Sequence, residues 1–235
     1  MRFDILTLFP DMVERVLGES VIGRACKSGA IEVNVLNLRD WSRDKHRRVD
    51  DTTYGGGMGM LIAAPVVTEA CDKLLAAAPE LNTHVVYMSP GGRVLNHDTA
   101  VRLSGYDRLI IICGHYEGVD SRALKLTGAE EISIGDYVLT GGELPACILT
   151  DCVSRLCPGV LSADECHENE SIASGMVEYP QYTRPAEYRG LEVPEVLKNG
   201  NHRDIARWRS EAAFSLTKSM RPELLGIEYL LEDEK

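Results

Sequence analysis

Nowhere in the 235-residue chain are there about 18 consecutive apolar residues, so a transmembrane helix is not expected. C-x-x-C is also missing. The seven cysteines (26, 71, 113, 147, 152, 157 and 166) are odd in number and carry no metal-ligand spacing. That argues against a disulfide framework or a zinc site and for small buried apolar residues in a reducing compartment. Neither G-x-G-x-x-G nor G-x-x-x-x-G-K-[ST] occurs, which removes the two common nucleotide-phosphate fingerprints. Positive charge is scarce as well: 25 Lys and Arg stand against 36 Asp and Glu, leaving a net charge of −11. Taken alone, that sum has the wrong sign for a nucleic-acid binder.

What is present begins with glycine. Tyr54 to Met60 reads YGGGMGM, four glycines in seven residues. No Lys-Ser/Thr follows them, so the stretch is not a P-loop. The apolar opening MRFDILTLFPD runs straight into Asp11 with no cleavage-like end, and reads as a buried strand instead of a signal peptide. A cytoplasmic protein is the expectation.

FDILTLF is nearly continuous in apolar residues, as a strand covered on both faces must be. AIEVNVLNL, HVVYM, RLIIIC and EEISI are four further strand-like runs, with helix-like stretches such as APVVTEACDKLLAAA between them. That alternation predicts an α/β fold with a mainly parallel sheet. ELPACILTDCVSRL follows as a buried helix. From Gly159 to Gly175 the chain is polar and weakly periodic, a linker pattern. Beyond Pro194, Ile205, Trp208, Ala212, Leu216 and Met220 recur at three- and four-residue steps, with Asn201 as N-cap. This predicts a small helical C-terminal domain. The expected boundaries are 1–160, a linker at 161–176, and 177–235.

Charge is uneven along the chain. Arg39, Arg43, Lys45, Arg47 and Arg48 fall within ten positions, and Pro180 to Arg221 holds eight basic residues against five acidic ones. Three strand-like runs end in glycine: HVVYM in SPGG, RLIIIC in GHYEG, and EEISI in GDYVLTGGE. Ligands of parallel α/β sheets gather beyond the carboxyl ends of strands, and glycine there lets backbone approach them closely. Three such turns predict a ligand held by backbone loops.

RRVDDTTYGGGMGM, CGHYEGVD, SIGDYVLTGGELPA, CPGVL, YPQYTRP and GNHRDIARWR occur in that order. Together they resemble the bacterial tRNA (guanine-N1)-methyltransferases of the knotted SPOUT superfamily, from MRFDILTLFP to the RPELL near the C-terminus. The resemblance implies a deep trefoil knot near the end of the α/β domain, with the glycine turns as knot loops around S-adenosylmethionine. It also implies a homodimer with shared active sites and methylation of N1 of guanosine 37, next to the tRNA anticodon. By similarity, Pro90, Gly114, Tyr116, Glu117, Gly118, Ile134, Gly135, Asp136, Tyr137, Val138, Leu139, Gly141 and Gly142 form the cofactor site. Magnesium dependence is a family trait, and no ligand set for it is readable.

The reaction dictates two further groups. Guanine N1 is protonated at neutral pH, so a base must take that proton, and a carboxylate in hydrogen-bond reach is the natural one. Negative charge then builds on O6, where a fixed cation stabilises it. Arg155 matches the family's arginine in that role. The base departs from the pattern: where the family has Asp-Ser-Phe, this chain has Glu170-Ser171-Ile172, which makes Glu170 the candidate and Glu168 the runner-up. Met58 stands where the family usually has proline, and Glu178 where it often has Asp. Basic residues including Arg47, Arg48, Arg184, Arg189, Arg203, Arg207 and Arg209 are candidates for phosphates of the anticodon stem-loop. Two other readings stay open: a tRNA-binding protein that has lost catalysis, favoured only by the Asp-to-Glu departure, and a knotted methyltransferase of another RNA.

Overall fold

A computed structural model describes residues 1–56, 59–161 and 171–226. The chain divides into two compact units, Met1–Asp164 and Glu165–Lys235.

The first unit is built on five parallel strands: β1 (Arg2–Thr7), β2 (Glu32–Asn37), β5 (Thr83–Val94), β6 (Arg108–Cys113) and β7 (Glu130–Ser133). Their order across the sheet is β2-β1-β6-β5-β7. The central β6 is buried at every position: its apolar run Leu109–Cys113 demands it, and the buried Arg108 donates to Thr83 Oγ1 (2.9 Å) and Leu74 O (2.9 Å). Its residues alternate between two cores. Leu109, Ile111 and Cys113 face α1 (Pro10–Leu17), α2 (Ser20–Ser28), α4 (His97–Ser104) and α6 (Glu143–Ser154), while Ile110 and Ile112 face α3 (Ala64–Ala77) and α5 (Ser121–Thr127). Each fully buried aliphatic side chain contributes roughly 1.5–3 kcal/mol. The sheet is therefore a rigid base for the loops at its carboxyl edge. The mainly parallel α/β fold expected from the strand–helix alternation is the one observed.

One expected turn is different. Ser89 to Gly92 does not end β5; the strand continues to Val94, and both Met88 and Arg93 pair with Ile132. The four residues bulge out between two paired stretches. The glycine stretch also has a definite place. Asp50–Thr52 (β3) and Met60–Ile62 (β4) pair antiparallel, so the stretch from Thr53 to Gly59 joins two strands instead of leading a strand into a helix. Gly57 and Met58 lie outside the described residues.

In the second unit a short hairpin, β8 (Glu187–Tyr188) and β9 (Leu191–Glu192), turns through Arg189 and Gly190, both at positive φ. The helix α7 (His202–Met220) is capped by Asn201, whose side chain accepts from Arg203 N–H. Among the described residues of this unit only Ala213, Thr217 and Pro222 are buried. Met220, expected on the apolar stripe, is exposed, and the buried edge of α7 runs through Ala213 and Thr217 instead. Thr217 Oγ1 donates to Ala213 O (2.7 Å) and accepts from Val177 N–H (2.9 Å), tying an extended segment to the helix.

Candidate active site

At the carboxyl edge of the sheet, β6 ends at Cys113, and Gly114 to Gly118 turn back over the end of β5. Strand β7 ends at Ser133, and the chain returns through Ile134 to Gly142 into α6. Gly142 N–H donates to Gly114 O (2.8 Å), and His115 and Gly141 form an isolated antiparallel bridge. Gly142 has to be glycine for this contact. A Cβ there would stand 2.8 Å from both Cys113 Cα and Gly114 N, which are backbone atoms with nowhere to go.

Between these loops lies a cavity of about 280 Å³. Of the residues expected from the sequence, Pro90, Gly114, Tyr116, Glu117, Gly118, Ile134, Tyr137, Val138, Leu139, Gly141 and Gly142 line it. Gly135 and Asp136 do not; Gly135 O instead accepts from Ser133 Oγ (2.9 Å) and Tyr137 N–H (2.9 Å), which shapes the turn behind the wall. Tyr87, Met88, Ser89, His115, Ile132, Ser133, Thr140 and Pro145 complete the lining. Tyr87 and Met88 were readable only as strand residues; they reach the cavity because β5 runs beneath the Gly114 turn.

The cavity's chemistry suits an adenosine bearing a charged amino-acid tail. Ile132, Ile134, Leu139 and Pro145 give apolar walls for a flat ring, the glycine turns present main chain, and Glu117 supplies an exposed carboxylate. His115 Nδ1 is buried without a hydrogen-bond partner among the described residues, so one wall also carries a polar atom poised for a contact. A volume near 280 Å³ sits at the small end of small-molecule sites. The residues present fit S-adenosylmethionine.

Beneath the wall, Glu143 in the first turn of α6 is buried and accepts from Thr7 Oγ1 of β1 (2.8 Å). Burial first, and then the Glu143 charge, pushes the Cys113 thiol well above its usual range and the Cys147 thiol up to about 11. Both are inert packing groups at neutral pH. Burial likewise raises the Tyr87 phenol. None of the described cysteines forms a disulfide.

The YGGGMGM region meets this site directly. Glu117 N–H donates to Met60 O (3.0 Å), Ile62 N–H to Gly118 O (2.9 Å) and Asp120 N–H to Ile62 O (3.0 Å), so β4 runs beside the GHYEGVD turn. A Cβ on Gly59, at φ +116°, would fall 2.4 Å from Glu117 Cγ. The Glu117 side chain packs where a Gly59 side chain would stand.

Arg155 is the C-cap of α6, and its N–H donates to Asp151 O (3.1 Å). It lines a neighbouring apolar groove that shares Ile134, Tyr137 and Leu139 with the cavity. Glu170 and Glu168 lie outside the described residues. Among the described residues, no group of three or more His, Cys, Asp or Glu is placed to hold a metal ion, and no helix is long and apolar enough to cross a membrane.

The basic segments differ from one another. Arg43, Arg47 and Arg48 pair with Glu69 (2.9 Å), Asp40 (3.3 Å) and Asp44 (3.4 Å). In the second unit Arg207 pairs with Asp204 (3.4 Å), whereas Arg184, Arg189, Arg203 and Arg209 have no acidic partner among the described residues. Exposed ion pairs of this kind contribute ~0–1 kcal/mol, so the paired arginines are only weakly held.

A family model described as tRNA (Guanine-1)-methyltransferase TrmD matches residues 1–227. A protein of Ruminiclostridium cellulolyticum named tRNA (guanine-N(1)-)-methyltransferase is 52% identical over 226 residues, covering 96% of this chain and 97% of its own length. Proteins of the same name from Geobacter sp. (strain M21) and Clostridioides difficile are 50% and 46% identical. They cover 100% and 95% of this chain, and 94% and 97% of their own lengths. The chain belongs to the tRNA (guanine-1)-methyltransferase family.

Proposed function

We propose that this family member methylates N1 of guanosine 37 of tRNA, beside the anticodon, with S-adenosylmethionine as methyl donor. The observation that carries the proposal is the cavity between the Gly114–Gly118 and Ile134–Gly142 turns, apolar-walled and bounded by main chain, in a chain of this family. When bound there, S-adenosylmethionine supplies an electrophilic methyl group. The protein's own residues supply the rest. The glycine turns and apolar walls hold the adenosine and exclude water. Gly59, packed on Glu117, brings the β3–β4 connection to the cavity, where main chain meets the target base without an intervening side chain.

Glu170 takes the N1 proton, and Glu168 is the alternative base. As that proton leaves, charge grows on O6, and the Arg155 guanidinium donates to it. In a site shielded from water such a donor is worth about 10²–10³ in rate. Glutamate for aspartate lengthens the base by one methylene.

The family's trefoil knot and paired subunits belong to the same reading. Support for a second copy comes from an exposed apolar face on two packed helices, with Met12 and Val16 on α1 and Leu144 and Ile148 on α6. The groove lined by Val16, Leu144, Ile148 and Arg155 opens on that face, so a partner subunit docked there would complete the site around Arg155. The test is transfer from isotope-labelled S-adenosylmethionine to tRNA, followed by digestion to nucleosides. Label in 1-methylguanosine is the expected outcome; label in any other nucleoside, or none in RNA, contradicts it.

A further inference from the structure

The second unit places aromatic rings and guanidinium groups together in an unusual way. Trp208, on α7, meets Tyr179 edge-on (6.4 Å between centroids, 67°) and Tyr182 at a tilt (6.3 Å, 52°). Arg209 lies over the Tyr179 ring, its Cζ 4.9 Å from the centroid. At the hairpin turn the motif repeats, with Arg189 5.2 Å over Tyr188. These rings are not the inside of a core. Tyr182 is 49% exposed and Tyr188 61%, in a unit whose described residues include only three buried ones.

Charge narrows the partner. Neither Arg209 nor Arg189 has a carboxylate partner among the described residues, and each is held on a ring face. A guanidinium stacked on a ring keeps its N–H fork free for phosphate. The segment from Pro180 to Arg221 carries eight basic and five acidic residues in a chain of net charge −11. Aromatic faces interleaved with unpaired cations are how single-stranded nucleic acid is held: bases stack on rings while cations follow the backbone.

We propose that Tyr182 and Trp208 form a stacking platform for an unpaired base of the tRNA anticodon loop, with Arg209, braced on Tyr179, meeting the adjacent phosphate. The proposal rests on the tRNA reading above. The platform explains how a small unit with little core reads a loop instead of a stem. Paired bases offer no free face for stacking, whereas a splayed loop base does.

Trp41 and Trp208 are the two tryptophans, so a full-length Trp41→Phe protein reports on Trp208 alone. It is titrated with an anticodon stem-loop RNA and with a fully paired duplex of equal length. The stem-loop is expected to quench Trp208 emission and the duplex to leave it unchanged. Tyr182→Leu should weaken stem-loop binding about tenfold, and Tyr182→Phe should restore it. The slope of log affinity against log salt stays the same in Tyr182→Leu and falls by about one in Arg209→Ala. Matched melting curves show that each variant is folded. Stem-loop binding with unaltered Trp208 emission and no loss in Tyr182→Leu overturns the platform and leaves the tRNA reading standing. Equal quenching by the duplex also overturns base stacking. Absence of binding to either RNA overturns the tRNA reading and the platform together.

Discussion

The two units solve opposite problems. The first surrounds a five-stranded sheet with two cores and holds a small cavity between glycine turns pinned to one another. The second has three buried residues among those described and spreads rings and cations over its surface. A small ligand is selected by a site built in advance, at the expense of backbone freedom. A large, charged ligand, as proposed for the second unit, would be met by surface. On the proposed function, the difference predicts that cofactor binding and tRNA binding are separable properties of one chain, joined only by the catalytic step.

The largest effect that would break this separation is on turnover. Glu170→Gln should lower the single-turnover rate by about 10²–10⁴ while leaving S-adenosylmethionine affinity, which the proposal places in the first unit, unchanged. Calorimetry and rapid-quench kinetics on one preparation check both. If Glu168→Gln abolishes turnover and Glu170→Gln does not, the base is Glu168.

The mirror experiment is Gly142→Ala. Its methyl group would press on the Cys113 and Gly114 backbone, an overpacking that costs roughly 1–3 kcal/mol. Cofactor affinity and melting temperature should both fall, while stem-loop affinity, measured by filter binding, stays within twofold of the parent. Loss of RNA binding as well would mean that the units are not separable.

In the second unit, Thr217→Val removes the acceptor of the Val177 N–H and leaves that donor unsatisfied, at a cost of about 1–3 kcal/mol. Amide exchange in α7 should accelerate while exchange in β6 does not change. Equal acceleration in both would make the molecule one cooperative body.

The smallest effect is a pH dependence at Glu130 in the first unit. Burial opposes ionisation of Glu130, but hydrogen bonds from His84 (2.6 Å) and Arg102 (2.7 Å) outweigh it and hold the carboxyl below its usual range. A depressed folded-state pKa contributes stability that is present above the unfolded pKa and lost as pH falls through the folded one. Thermal stability should therefore decline on acidification below about pH 4.5. Glu130→Gln should flatten that part of the profile, and an unaltered profile would remove Glu130 from the account.

Much of the first unit was legible because its strands are near-continuous apolar runs and its turns are glycine-rich, both local signals. The β5 bulge was not. Pro90, Gly91 and Gly92 read as terminators, yet a Cβ on Gly92 would stand 2.4 Å from the Glu131 carbonyl carbon, a close passage between chains that no local pattern encodes. Tyr87 and Met88 were missed as lining residues for the same reason: their part in the cavity depends on which strands are neighbours. The Thr7–Glu143 hydrogen bond joins positions 136 residues apart and leaves no mark on either segment. In α7 the three- and four-residue periodicity located the helix but placed Met220 inside, because a polar Thr217 that satisfies its hydroxyl locally is more buried than the periodicity predicts. YGGGMGM was readable as glycine-rich and not a P-loop; that the Glu117 side chain packs against Gly59 required the fold.

The most direct test compares two tRNA transcripts that differ only at position 37. Under single-turnover conditions, with enzyme and S-adenosylmethionine in excess, the transcript with guanosine 37 should be converted to one 1-methylguanosine per molecule, and the transcript with adenosine 37 should gain none. Equal methylation of both, or binding of both without product, would contradict the assignment of this chain as the guanosine-37 N1-methyltransferase.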